Sequence, residues 1–139
     1  RASFTGLSLR HGKQHLIRAV MEGVVMSLKQ GSDILEALGV SSEKIILSGG
    51  GTQHPLWLQL VADIFNKQVI VSKTAESSAK GSAILAGVGS GVFSSTIEAS
   101  RQFVDYKDLT ILPNLQNVEI YKKVYQYYCS LMTRVNNQG

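Results

Sequence analysis

The sequence predicts an α/β fold in which a short mixed or parallel sheet is packed by helices. Two runs of β-branched and leucine side chains, Lys44 to Ser48 and Gln68 to Val71, are each followed by a stretch with helical spacing, Pro55 to Phe65 and Ser78 to Val88. Strand, helix, strand, helix in so short a span implies right-handed crossovers within one sheet. A third observation marks the strand-to-helix junction: Gly49-Gly50-Gly51 stands directly after Ile45-Ile46-Leu47-Ser48.

Size and composition bound what this fold holds. A chain of 139 residues buries roughly two-thirds of its unfolded surface, enough for a cooperative core, and residues 1–139 read as a single domain. Apolar content of 44% argues against disorder. One cysteine, Cys129, leaves no intramolecular disulfide and no CxxC metal site. No apolar run approaches the ~20 residues of a membrane span, and no signal-like segment precedes the first charged turn. A cytoplasmic protein without a membrane partner is expected. The formal charge of +4 comes from scattered residues, Arg10, His11 and Lys13 in one group and Lys122-Lys123 in another. No aromatics interleave them, so nucleic acid is not the expected partner.

The elements follow in order. Phe4 to Leu9 alternates weakly, as an edge strand or an extended lead-in. His15 to Leu38 is the longest helical candidate, with Leu16, Val20, Val24 and Leu28 at three-to-four spacing and Gly39 as its stop. Ala19, Gly23 and Ser27 lie four apart on that helix, a row that lets another backbone cross closely. Lys44 to Ser48 reads as a strand covered on both faces, because its apolar residues are continuous. Pro55 suits the first turn of the next helix, where its missing N–H would be unpaired anyway. Gln68 to Val71 is the second strand and Ser78 to Val88 a small-residue helix. Ser94 to Val104 gives a short helix and Asp105 to Asn114 an irregular connector. A closing helix spans about 118–135, its Tyr121, Tyr125, Tyr128, Leu131 and Met132 forming an amphipathic core face.

The glycine cluster has two readings. Tight turns alone can require glycine, and the cluster lacks both the Lys-Ser/Thr of a P-loop and the spacing of GxGxxG. Against that, open α/β sheets bind ligands at the C-terminal ends of their strands, where side-chain-free backbone can lie against an anionic ligand. Lys80-Gly81-Ser82-Ala83 opens a second small-residue helix whose N-terminal backbone would approach the same crevice. Gly81, Ala83 and Gly87 are equally consistent with packing under the long helix. Glu22, Asp33, Glu36, Asp63 and Glu76 show no convergent partner in the sequence and read as solvent or structural charges.

Several segments together carry a family likeness. Arg18-Ala19-Val20-Met21-Glu22-Gly23-Val24, Leu47-Ser48-Gly49-Gly50-Gly51-Thr52-Gln53-His54-Pro55-Leu56-Trp57, Gln59-Leu60-Val61-Ala62-Asp63-Ile64 and Lys80-Gly81-Ser82-Ala83-Ile84-Leu85-Ala86-Gly87-Val88-Gly89 resemble the C-terminal domain of the FGGY carbohydrate kinases, xylulose kinases most of all. The likeness runs from about Phe4 to Ala99.

The resemblance implies the C-terminal part of an actin-like, ribonuclease-H-like ATPase fold. It implies an ATP-dependent sugar kinase, acting on a ketopentose such as xylulose, whose N-terminal domain is missing from this segment. By carry-over, Gly49, Gly50 and Gly51 lie against ATP, His54 falls near the base where relatives carry a small polar residue, and Ala79 and Gly81 match the far side of the nucleotide pocket. Gln59 and Asp63 match a Gln-x-x-Ala-Asp pattern assigned to holding the helix and its loop. Lys80 replaces an apolar residue and would reach solvent or a phosphate. No catalytic or metal-ligating residue is assigned here; Mg²⁺ and the catalytic base belong mainly to residues outside the segment, which alone is expected to be inactive. The full protein is open to homodimer formation. The alternative is a non-enzymatic, nucleotide-responsive actin-like ATPase module acting on a protein partner.

Overall fold

The computed structural model describes residues 3–74 and 76–136, with side chains described as far as Met132. The chain divides into two compact units, residues 42–118 and residues 1–41 with 119–139.

The first unit holds the sheet. Its strands are β1 (Lys44–Leu47), β2 (Gln68–Ser72) and β3 (Tyr106–Ile111), in the order β1-β2-β3. β1 runs parallel to β2, with Ile46 beside Ile70, and β3 runs antiparallel to β2, pairing Val69 with Ile111 and Ser72 with Tyr106 around an irregularity at Ile70–Ser72. The sheet is therefore mixed.

Two expectations are corrected here. The segment from Asp105 to Asn114 is not an irregular connector, since β3 occupies most of it. Lys107 and Asp108 break its apolar pattern, so the strand depends on pairing with β2, which local sequence does not display. β1 is not covered on both faces: it lies at the edge of this three-stranded sheet and Ile46 is 50% exposed.

Helix α2 (Pro55–Phe65) packs on β2 and β3. Its Leu58, Leu60, Val61 and Ile64 are buried, as are Val69 and Val71 of β2. Pro55 occupies the first turn, and Asn66 ends the helix in the left-handed conformation at φ 51°, which asparagine tolerates better than most residues. Helix α3 (Ser77–Gly89) is followed by α4 (Thr96–Phe103), which packs against it. α4 starts at Ser95, whose Oγ accepts the Glu98 N–H at 3.1 Å. Glu98 also accepts from the backbone N–H and the hydroxyl of Ser94.

The second unit contains α1 (Lys13–Ala37) and most of α5 (Leu115–Asn136). Residues 3–9 form no strand; the chain bends at Gly6, φ 73°, and turns at Leu9 and Arg10. α1 ends as expected: Gly39, at φ +85°, donates to Glu36 O, and Val40 N–H donates to Leu35 O at 2.9 Å. That is the double carbonyl closure of a Schellman motif.

Polar bonds join the two helices. The Tyr121 hydroxyl donates to Glu22 Oε1 at 2.7 Å and accepts from Arg18 Nη2 at 2.6 Å, while Arg18 Nε reaches Glu22 at 2.6 Å. One turn on, Tyr125 donates to Asp33, which also receives Lys29 at 2.8 Å. Tyrosines here combine an apolar face with a hydroxyl that needs a partner. Glu22 and Asp33 are thus structural charges, as their isolation in the sequence suggests. The small-residue row is not filled: a Cβ at Gly23 would meet nothing within 4 Å. Small side chains permit a close crossing but do not attract one.

Candidate functional site: the glycine turn and the α3 cleft

β1 ends at Leu47, and the chain turns through Ser48 and Gly49 into a 3₁₀ turn, Gly50–Gln53, before α2. The three glycines differ in kind. Gly49 has φ 84° and ψ −172°, a region that only glycine enters freely. At Gly51 a Cβ would meet Trp57 Nε1 at 3.1 Å and Cδ1 at 3.2 Å, closer than most side chains stand. Gly50 has neither need, because its φ is not positive and a Cβ there would meet nothing within 4 Å. The turn reading therefore accounts for Gly49 and Gly51 but leaves Gly50 unexplained.

The turn is fixed from within. Thr52 is nearly buried, and both its N–H, at 3.1 Å, and its Oγ1, at 2.8 Å, donate to Gly49 O. His54 is the N-cap of α2, in extended backbone and exposed, with no side-chain cap bond. Its imidazole stands in solvent at the helix start.

At the far end of α2, Asp63 is 2% exposed. Its Oδ1 accepts from Gln59 Nε2 and from the Asn114 N–H, and its Oδ2 from Asn117 Nδ2, each at 2.8 Å. Gln59 Nε2 also reaches Leu112 O at 3.1 Å. Asn114 in turn accepts the N–H groups of Gln116 and Asn117, capping α5. A buried carboxylate is tolerable when its oxygens are satisfied this way. The Gln-x-x-Ala-Asp pattern therefore holds the helix to its neighbouring loop.

A cleft of about 310 Å³ opens beside the C-terminal ends of β1 and β2, lined by Ile46, Ser48, Ser72, Thr74, Ser77, Lys80, Gly81, Ile84, Ser100, Val104 and Tyr106. Of the six residues singled out in the sequence, Gly81 lines this cleft; Gly49, Gly50, Gly51, His54 and Ala79 are not in its lining.

α3 begins at Ser77, one residue before the Ser78 start expected from the sequence, so Lys80-Gly81 lies beyond its opening residues. The Lys80 N–H is already bonded to Glu76 O at 3.1 Å, so the helix's unpaired N–H groups belong to Ser77, Ser78 and Ala79, not to Gly81. A Cβ at Gly81 would meet nothing within 4 Å, whereas one at Gly87 would strike Phe93 at 2.6 Å. Gly87 is thus a packing glycine, though its neighbour is Phe93. Lys80 Nζ donates to Phe103 O at 2.6 Å, meeting a carbonyl at the end of α4 where a cation is favoured. In the structure its partner is this carbonyl, neither of the two, solvent or phosphate, that its sequence position suggests.

The hydroxyls of the cleft and the part played by Trp57 escaped the sequence reading. Among the described residues, no group of three or more His, Cys, Asp or Glu could hold a metal ion, and no helix is long and apolar enough to cross a membrane. The residues present do not fit a Mg²⁺ site, and no step is assigned to one.

Glycine turn, capped α2 and mixed sheet together define a class of domain. The chain belongs to the FGGY family of carbohydrate kinases, and residues 1–90 match the C-terminal domain of that family. It is 35% identical over 137 residues to the xylulose kinase of Bacillus subtilis, covering 99% of this chain and 27% of that protein. To the xylulose kinase of Lactococcus lactis it is 37% identical over 129 residues, covering 92% of this chain and 26% of that protein. Among solved structures, the ligand-bound xylulose kinase from Lactobacillus acidophilus matches with a TM-score of 0.82 at 28% identity, over 96% of this chain and 27% of that one. The fold is the C-terminal part of the actin-like ATPase type, and the chain spans about a quarter of the length of these relatives.

Proposed function

We propose that these residues form the nucleotide-holding part of an ATP-dependent sugar kinase that phosphorylates a hydroxyl of a ketopentose such as xylulose. One observation carries the reading. Gly50 is a glycine that nothing among the described residues requires, at the C-terminal mouth of a strand, where a missing side chain is useful to something that must come close. The names of the similar proteins supply the substrate class, since xylulose kinases recur among them.

In this reading the adenosine end of ATP lies along Gly49, Gly50 and Gly51, with His54 beside the base and the start of α3 at Ala79 and Gly81 on the other side. ATP supplies the phosphoryl group. Positioning and charge stabilisation are most of what such a transfer asks of protein, and this segment contributes the positioning of the nucleotide. The acceptor site, the base and the groups that hold Mg²⁺ lie in the rest of the protein. The segment alone transfers nothing and binds nucleotide weakly, because half of the enclosure is absent.

The test is a phosphorylation screen of ketoses and polyols with the full-length protein and ATP·Mg²⁺. Turnover of a ketopentose, xylulose above all, is expected. A protein that hydrolyses or binds ATP and phosphorylates no sugar or polyol refutes the kinase reading.

A further inference from the structure

We propose that Trp57 is the positioning residue of the glycine turn: its indole backs Gly51 and thereby fixes the side from which Gly50 is approached. The inference rests on the nucleotide reading above and deepens it.

The pyrrole edge of the indole, Nε1 and Cδ1, lies within 3.2 Å of where a Gly51 Cβ would be. One residue earlier, the corresponding space at Gly50 is empty to 4 Å. In a 3₁₀ turn successive residues point about 120° apart, so the direction blocked at Gly51 and the direction open at Gly50 are different. The turn thus has a backed side and a free side. Thr52 clamps its entrance by two bonds to Gly49 O, and Trp57 clamps its exit.

The backbone of Trp57 is itself held. It sits in the first turn of α2, where its N–H bonds to His54 O at 3.0 Å, between buried Thr52 and buried Leu58 in sequence. The rotation of α2 is set by its apolar face on the sheet and by the bonds that leave the helix, Asn114 and Asn117 to Asp63 and Gln59 to Leu112 O. A turn of three adjacent glycines has more freedom to lose on binding than any other tripeptide. A flat indole against the last of them removes part of that freedom before the ligand arrives, which is preorganisation.

The experiment compares Trp57→Ala and Trp57→Phe in the full-length protein. The readouts are ATP·Mg²⁺ affinity by calorimetry, KM for ATP against KM for the sugar accepted in the screen, and thermal melting. Trp57→Ala should weaken ATP at least tenfold with the sugar KM within twofold, and Trp57→Phe, which keeps a flat ring at the same place, should stay within threefold. Gly51→Ala should also weaken ATP, and the double variant with Trp57→Ala should be no weaker than Trp57→Ala alone, because the atom that clashes has gone. If Trp57→Ala does not fold, Trp57→Leu takes its place with the same expectation. Lowered melting with unchanged ATP affinity overturns the proposal, leaving Trp57 a packing residue only. Gly50→Val separates the two claims: if it abolishes ATP binding while Trp57→Ala does not, the positioning role alone fails, and if it leaves binding intact the nucleotide reading fails as well.

Discussion

Replacing Asp63 by alanine removes the anchor that joins α2 to the start of α5, and its cost follows from the bonds. Three donors lose their acceptor: Gln59 Nε2, the Asn114 N–H and Asn117 Nδ2, each at 2.8 Å from a carboxylate that is 2% exposed. A bond to a charged group is worth about 1.5–3 kcal/mol net. Water can replace part of this at Asn117 and Gln59, which are half-buried, and Gln59 keeps Leu112 O. Relief from holding a buried charge offsets some of the remainder. The balance is about 3 kcal/mol, a large share of the roughly 5–15 kcal/mol that stabilises a domain.

Asp63→Asn should cost about 1 kcal/mol. The amide oxygen still accepts from Gln59 and Asn114, and Asn117 can turn its own amide over to accept rather than donate. Urea unfolding of the chain followed by far-ultraviolet circular dichroism reads both values. An alanine variant within 0.5 kcal/mol of the parent, or an asparagine variant as costly as the alanine, would refute the anchoring argument.

Two further outcomes follow from the helices. Burial, and then the hydrogen bond to Asp33, holds the Tyr125 hydroxyl well above its ordinary pKa, so the fold favours the neutral phenol. That contribution is complete below the unfolded value near pH 10 and is lost as pH rises above it toward the folded one; the urea midpoint of the parent should fall more steeply than that of Tyr125→Phe between about pH 10 and pH 12, and parallel profiles there would contradict it. Ser95→Ala removes the side-chain cap of α4 and should cost about 1 kcal/mol, read by the same unfolding assay, with a loss below 0.3 kcal/mol speaking against the cap.

What the sequence displayed was whatever depends on neighbours in the chain. Pro55 announced the start of α2, Gly39 the end of α1, and Gly49-Gly50-Gly51 the turn between strand and helix. β3 was hidden because its stability comes from pairing with β2, some 40 residues away, and its own charged residues argue for a loop. The exposed edge of β1 was hidden for a related reason: three apolar residues in a row describe a strand that tolerates cover, not one that has it.

The site was legible in the same partial way. Glycines can be counted in a sequence, but their reasons cannot: backbone angle at Gly49, an indole at Gly51, Phe93 at Gly87, and no neighbour within 4 Å of a Cβ at Gly50 or Gly81 among the described residues. Trp57 is six residues from Gly51, and only the geometry of the turn brings the indole back onto it. Lys80 likewise meets Phe103 O across 23 positions.

Calorimetric titration of ATP·Mg²⁺ into the full-length protein carrying Gly50→Val bears most directly on the nucleotide claim. A Cβ at that position would meet nothing within 4 Å, so melting should stay within a few degrees while ATP affinity falls at least tenfold. Unaltered affinity in a folded variant would contradict the claim, because a ligand lying on bare backbone cannot ignore three added carbons.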